Sequence, residues 1–200
     1  MSDLIYRSPL LYRLAIFFLY RGDYSERYEI LDRFIKERSS VVELCCGPGD
    51  FYRGFLKKKN VNYLGVDNSA DFIKRCKKKG INVIWGDVSQ FNFIKSDYYI
   101  IISSLYQFHP DIRELINKML QYAKCVLISE PIKNISNSKY KIISKIAAYL
   151  TNKKNYENNF HFTEKSLDTM MLAGFKNKIV YVQTTKNGRE KIYVLKNESN

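Results

Sequence analysis

Residues 41–51, Val-Val-Glu-Leu-Cys-Cys-Gly-Pro-Gly-Asp-Phe, constrain the chain more than any other stretch. Val41, Val42 and Leu44 read as a short buried strand, and Cys45 and Cys46 as compact fillers at its end. Gly47 and Gly49 then make a turn whose backbone no side chain shields, and Asp50 stands where a helix begins. Strand, glycine turn and helix start are the usual place in an α/β protein for a nucleotide-like cofactor. A dinucleotide site would continue the pattern as G-x-G-x-x-G, with the third glycine allowing close helix packing. Here that position is Tyr52. The Asp50 carboxylate would also occupy the free N–H groups at the helix start and repel a pyrophosphate. A cofactor without phosphate and with a positive charge fits better.

The rest of the pattern repeats strand and helix. Val61 to Val66 predict a second strand ending at Asp67, and Ser69 caps a helix that turns Phe72, Ile73 and Cys76 inward. Asn82 to Trp85 form a third strand before Gly86-Asp87, and the apolar run Tyr98 to Ile102 suits a strand buried on both faces. Pro110 opens a helix with Ile112, Leu115, Ile116, Met119 and Leu120 on one side. Cys125 to Ser129 give the fifth strand. Thr163 caps a helix carrying Leu167, Met170 and Met171, closed by Gly174. Lys178 to Gln183 and Lys191 to Lys196 flank an Asn187-Gly188 pair, which predicts a tight antiparallel hairpin. The fold class that follows is α/β: a doubly wound, mostly parallel seven-stranded sheet with a C-terminal antiparallel hairpin strand.

Two helices are expected before the first strand. Ser8-Pro9 starts one over the apolar residues 9–20. Asp23 and Glu26 resemble a capping box for the second, which aligns Tyr28, Leu31, Phe34 and Ile35. Twelve apolar residues are too few for a bilayer, which needs roughly 20. They read as a buried or cofactor-covering helix, with an in-plane membrane contact as the alternative. The 200 residues hold one domain: a helical cap (1–38), a cofactor-binding half (41–130), a lid insert (131–162) and a closing helix and hairpin (163–196). Within the insert, 139–150 is a basic amphipathic helix.

Charge and cysteines narrow the setting. The net charge of +13 is concentrated in runs such as Lys57-Lys58-Lys59 and Lys77-Lys78-Lys79 at predicted helix ends. A solvated face favoured by helix dipoles is one reading, and an anionic partner such as RNA or an acidic membrane surface is the other. The runs lack the interleaved aromatics of a base-stacking surface. Cys45, Cys46, Cys76 and Cys125 show no C-x-x-C spacing, so a cytoplasmic protein without a metal site is expected.

With Glu43 before the glycine turn, Asp67 after the second strand, Asp87 after the third and the final hairpin, residues 41–196 resemble the class I S-adenosylmethionine-dependent methyltransferases. The resemblance implies that S-adenosyl-L-methionine is the cofactor, with the Gly47–Gly49 backbone along its methionine part. Asp67 would accept from the ribose hydroxyls, Asp87 from the adenine amino group, and Glu43 would organise the methionine ammonium. Cys45, Asn68, Val88 and Ser103 complete the implied cofactor set. Each acid also has a local role open to it: Asp67 as a cap at Ser69, Asp87 as a turn residue, Glu43 as a buried acid bonded to backbone.

The segment Ser103 to His109 would face the methyl group. It is not the Asn/Asp-Pro-Pro-Tyr/Phe segment of the family's exocyclic-amine DNA methylases, and no Pro-Cys pair supplies a nucleophile toward a pyrimidine. Tyr106 would cover the sulfonium or pack in the core. His109 is the candidate base or a helix cap. Glu130 and His161 are the remaining candidates for touching the acceptor, Glu130 with backbone bonding as its alternative. A small, partly apolar acceptor is expected, with RNA or protein methylation or a non-catalytic cofactor-binding domain as alternatives.

Overall fold

The computed structural model describes residues 25–133 and 160–197. The expected helices over 9–20 and 139–150, and Asp23 of the expected capping box, lie outside the described residues. The elements in chain order are α1 (Glu26–Asp32), β1 (Ser40–Leu44), α2 (Asp50–Gly54), β2 (Asn62–Asp67), α3 (Ala70–Lys78) and β3 (Val83–Trp85). They continue with β4 (Ser96–Ile102), α4 (Ile112–Tyr122), β5 (Ala123–Pro131), α5 (Glu164–Phe175), β6 (Ile179–Thr184) and β7 (Glu190–Lys196).

The sheet has seven strands in the order β3-β2-β1-β4-β5-β7-β6. The first five are parallel, and β7 runs antiparallel to both β5 and β6. The expected class is therefore the observed one. Its order reverses between β1 and β4, and a crevice opens at the carboxyl ends of strands where that happens. The glycine turn after β1 and the segment after β4 flank that crevice.

Both faces of the sheet are covered. One core joins Val42, Leu44, Tyr99, Ile101, Val126 and Ile128 to the apolar sides of α4 and α5. The other joins Val41, Ile100, Leu127 and Val194 to α1, α2 and α3. Tyr99, Ile100 and Ile101 have no exposed surface, as a central strand between two helical layers requires.

Several boundaries differ from the sequence reading. The helix expected over 50–58 breaks at Phe55 (φ −128°, ψ −55°) into α2 and a 3₁₀ turn, Leu56–Lys59, which buries Leu56 completely. Residues 105–108 form their own 3₁₀ turn, so α4 opens at Ile112 rather than at Pro110. Gly174 does not close α5. The helix runs on to Phe175, whose side chain is buried against the core. At the start of α1, Ser25 holds the cap position without a side-chain cap bond, and Phe34 and Ile35 follow the helix instead of extending it. The hairpin is wider than a two-residue turn. Thr185 and Glu190 are hydrogen-bonded across its base, and Gly188 N–H closes onto the Thr185 carbonyl at 2.7 Å.

The turn after β1 is left-handed three times, at Cys45 (φ 55°), Gly47 (φ 54°) and Gly49 (φ 72°). The two glycines differ in what surrounds them. A Cβ on Gly49 would lie 2.9 Å from Ile81 Cδ1 and 3.3 Å from Cys76 Sγ, whereas one on Gly47 would meet nothing within 4 Å. Gly49 is thus a packing position and Gly47 borders open space. Gly49→Ala, which combines left-handed strain with crowding, should lower unfolding free energy by about 1–3 kcal/mol in urea titration. Gly54→Ala, at an open helical position, should leave it unchanged or higher.

Candidate functional site

The site grows from the tips of β1 and β2. Asp67 ends β2 almost buried, and its two oxygens take different amides: Oδ2 accepts from Gly47 N–H and Oδ1 from Ser69 N–H, each at 2.8 Å. One carboxylate therefore holds the glycine turn against the start of α3, while Ser69 Oγ caps that helix by accepting from Phe72 N–H. The capping role open to Asp67 is taken.

Glu43 lies across from Gly65 in the β1–β2 register. Gly65 is required there: a Cβ would lie 2.7 Å from Cys46 Sγ and 2.8 Å from Tyr63 Oη. That space lets Tyr63 donate to Glu43 Oε2 at 2.6 Å, which is the partner Glu43 has in place of backbone. Burial pushes the Glu43 carboxyl up to about 8, against the Tyr63 hydrogen bond, and the nearby charges of Asp50 and Asp67 push it further. Of these neighbours, Asp50 is itself paired with Arg53 at 2.6 Å, and the Arg27 charge draws the Glu43 carboxyl the other way.

Asp87 is exposed and caps the Val88–Gln90 turn, accepting from Ser89 N–H at 2.8 Å and Ser89 Oγ at 2.9 Å. Val88 is buried in the core beneath it. Asn68 is exposed, and its carbonyl accepts from Trp85 Nε1 at 3.0 Å. Trp85, 67% exposed, was not expected at the site. It pairs with Asp67 in register, so an indole borders the crevice between Asn68 and Asp87. Cys45 is half-buried, and burial raises its thiol far above the ordinary range, so it packs rather than reacts.

Beyond β4, Ser103 is left-handed (φ 52°), and its Oγ accepts from Arg27 Nη1 at 2.6 Å and donates to Glu190 Oε1 at 3.1 Å. Arg27 and Glu190 form a buried ion pair, and Glu190 also accepts from Ser129 Oγ. Beside it, the Glu26 carboxylate accepts from Lys186 N–H at 2.8 Å. Helix α1 is thereby tied to the hairpin and to the segment after β4. Sequence reasoning missed Arg27 and Glu190. The only signal was an arginine beside the apolar side of a short helix.

The acceptor candidates fall into two groups. Glu130 is buried with both oxygens on backbone, accepting from Leu105 N–H at 2.9 Å and Tyr106 N–H at 3.2 Å. Its backbone alternative is the observed arrangement, and it anchors the turn that carries Tyr106. Burial holds its carboxyl up at about 8, opposed by those amides. Tyr106, His109 and His161 do come together. His109 stacks on Phe160 at 4.0 Å, the Tyr106 and His161 rings are 5.2 Å apart, and Phe160 meets Phe162 edge-on at 4.9 Å.

Among the described residues, no group of His, Cys, Asp and Glu could hold a metal ion, and no helix is long and apolar enough to cross a membrane. The four cysteines are free thiols.

The sequence model of one protein family, "Methionine biosynthesis protein MetW", matches residues 25–190. The chain belongs to the MetW family. Part of it is 31% identical over 84 residues to the carboxy-S-adenosyl-L-methionine synthase of Nautilia profundicola, covering 40% of this chain. The chain matches about a third of that relative's length (32%). Among solved structures, the plantazolicin methyltransferase BpumL in complex with SAH superposes with a TM-score of 0.66 at 15% identity, covering 98% of this chain and 94% of that one. A Thermotoga maritima protein described as an SAM-dependent methyltransferase, possible histamine N-methyltransferase, gives 0.65 at 16% identity, with 98% and 99% covered. This MetW-family chain is a relative of the S-adenosylmethionine-dependent methyltransferases and shares their fold.

The raised carboxyls of Glu43 and Glu130 make stability depend on pH. In the unfolded chain both ionise near 4.5, while the folded protein keeps their protons to about 8. Between those values the unfolded state binds fewer protons, so stability falls as pH rises through this window. The thermal midpoint should drop by roughly 5 °C or more from pH 5 to pH 8. Glu43→Gln should flatten that slope.

Proposed function

We propose that the chain is an S-adenosyl-L-methionine-dependent methyltransferase acting on a small, partly apolar acceptor. The observation that carries the cofactor reading is the meeting of Glu43, Asp67 and the open Gly47 backbone at the point where strand order reverses. The residues fit this cofactor. A buried acid that makes no ion pair among the described residues, with Asp67 close by, suits an ammonium and a sulfonium, and the side-chain-free space over Gly47 suits a ligand lying on backbone. Asp67 would hold the ribose, Asp87 the adenine amino group, and Glu43 the ammonium, with Cys45, Gly49, Asn68, Val88 and Ser103 lining the same cavity.

When bound, the cofactor supplies an activated methyl group on a good leaving group. What remains for the protein is alignment. Glu130 fixes the backbone of the Leu105–Phe108 turn, and Tyr106, His109, Phe160 and His161 would hold the acceptor, with His109 placed to receive its proton. An aromatic surface of this kind suits a compact, partly apolar molecule. Polymeric acceptors find less support, because the lysine runs considered for RNA precede β2 and β3, at the edge opposite the crevice. The free thiols suit a reducing, cytoplasmic setting.

Titration calorimetry tests the cofactor reading: S-adenosylmethionine and S-adenosylhomocysteine should bind with micromolar affinity and NAD not at all. Asp67→Ala should weaken binding by roughly 1–3 kcal/mol through lost charge-assisted hydrogen bonds. Labelled methyl transferred from the cofactor into extract should appear in the small-molecule fraction. Label confined to RNA or protein would overturn the acceptor class.

A further inference from the structure

The topology sorts charge between the two ends of the sheet. Every helix-to-strand connection enters the parallel strands at one end, the amino edge, and the cations collect there. Lys57-Lys58-Lys59 lead into β2 and Lys77-Lys78-Lys79 end α3 ahead of β3. Because β2 and β3 are paired neighbours, the two runs form one patch. The runs end elements packed on one face of the sheet, where neighbouring helices lie about 8–10 Å apart, comparable with the screening length of about 8 Å at physiological salt, so their fields overlap. Backbone bonds knit the rest of the edge together. Arg38 N–H donates to the Lys59 carbonyl at 2.9 Å, and Asn197 N–H to the Lys124 carbonyl at 3.3 Å.

Acids at this edge are few, and two of them are already spoken for. Asp32 pairs with Lys59 at 2.9 Å and Asp97 with Lys124 at 2.8 Å; beside those pairs, Glu37 is the one further acid among the described residues of this edge. Lys57, Lys58, Lys77, Lys78 and Lys79 are exposed and make no ion pair within the described residues. A helix dipole serves only one of the two runs: Lys77 and Lys78 close the nine-residue α3, whereas Lys57-Lys58-Lys59 follow α2, which is five residues long. At the other edge stand Asp67 and Asp87, with Glu43 and Glu130 keeping their protons to about 8. The strands hold the two poles roughly 20 Å apart.

We propose that the amino edge is a docking surface for duplex nucleic acid, gripped through its phosphates and independent of sequence. Lysines act as point charges without the fork geometry of base or bidentate recognition. No exposed large aromatic stands among these runs, so single-strand stacking has no platform. Seven strands span about 29 Å, and each neighbouring pair is rotated by roughly 20–25°, so the rim winds. A helical polyanion can follow such a rim, whereas a flat bilayer touches only part of it. The docked duplex lies at the far end from the crevice, so it is a tether rather than the methyl acceptor and leaves the acidic pole open.

Fluorescence anisotropy of the full chain with labelled 20-base-pair RNA and DNA duplexes tests this. Both duplexes should bind at 50 mM salt, and affinity should fall about 100- to 1,000-fold by 200 mM, as expected for four to six neutralised phosphates. The variant Lys77→Glu, Lys78→Glu, Lys79→Glu should bind at least about tenfold more weakly. Its calorimetric affinity for S-adenosylhomocysteine should stay unchanged, which also shows that it folds. Lys57→Glu with Lys58→Glu is the second variant on the same patch, and Lys165→Glu, on the exposed start of α5, should change nothing. Absence of duplex binding at 50 mM salt overturns the proposal. So does equal loss in Lys165→Glu, or sedimentation with phosphatidylserine vesicles in place of duplex binding. Cofactor binding is read separately, so failure here leaves the methyltransferase reading standing, and the converse holds.

Discussion

Two amides converge on one carboxylate, and the crevice depends on that meeting. Asp67 holds Gly47 N–H with one oxygen and Ser69 N–H with the other, so the turn after β1 and the start of α3 share a single anchor. Without it, three alternate left-handed positions at Cys45, Gly47 and Gly49 would have little to fix them. The anchor is an acid, and its charge goes into charge-assisted bonds to two backbone amides. Glu43 repeats the theme one strand earlier: the space left by Gly65 admits the Tyr63 hydroxyl, and burial raises the acid it contacts.

A second layer of organisation stands behind the aromatic candidates. Glu130 fixes the turn after β4 from below, and Arg27 with Glu190 ties that segment to α1 and to the hairpin. Breaking a buried pair by removing one partner leaves a charge stranded and costs far more than replacing both. The geometry of the post-β4 segment is therefore set by Glu130, Arg27 and Glu190 together. Separation of charge completes the picture. Asp67 and Asp87 stand where strands end and exposed lysine runs where β2 and β3 begin, so the two edges differ in what they offer a ligand.

Much of this was legible in the sequence for a physical reason. In a parallel β/α repeat, the residue after each strand falls on one edge, so Glu43, Asp67 and Asp87 could be placed from strand endings alone. Helix ends were less legible. Gly174 reads as a stop, yet burial of Phe175 carries the helix past it, and the turn at 105–108 delays α4 beyond Pro110. The Arg27–Glu190 pair was invisible because its partners are 163 positions apart, and a lone arginine on a short helix reads as solvated. Trp85 was hidden for the opposite reason: its type suggests core, while an edge strand leaves it exposed. The local role of Asp67 is the observed one: it holds the glycine turn as well as the start of α3, which residue type alone does not reveal.

Proton linkage reaches the centre of the account most directly. If the buried Glu43 carboxyl awaits the ammonium of the cofactor, binding must ionise it, because a cation alongside lowers its pKa from about 8. Titrating S-adenosylhomocysteine into the protein at pH 7 in buffers of different ionisation enthalpy should show release of about one proton per site, and Glu43→Gln should abolish it. Tight binding with an enthalpy that does not change from buffer to buffer would contradict the account.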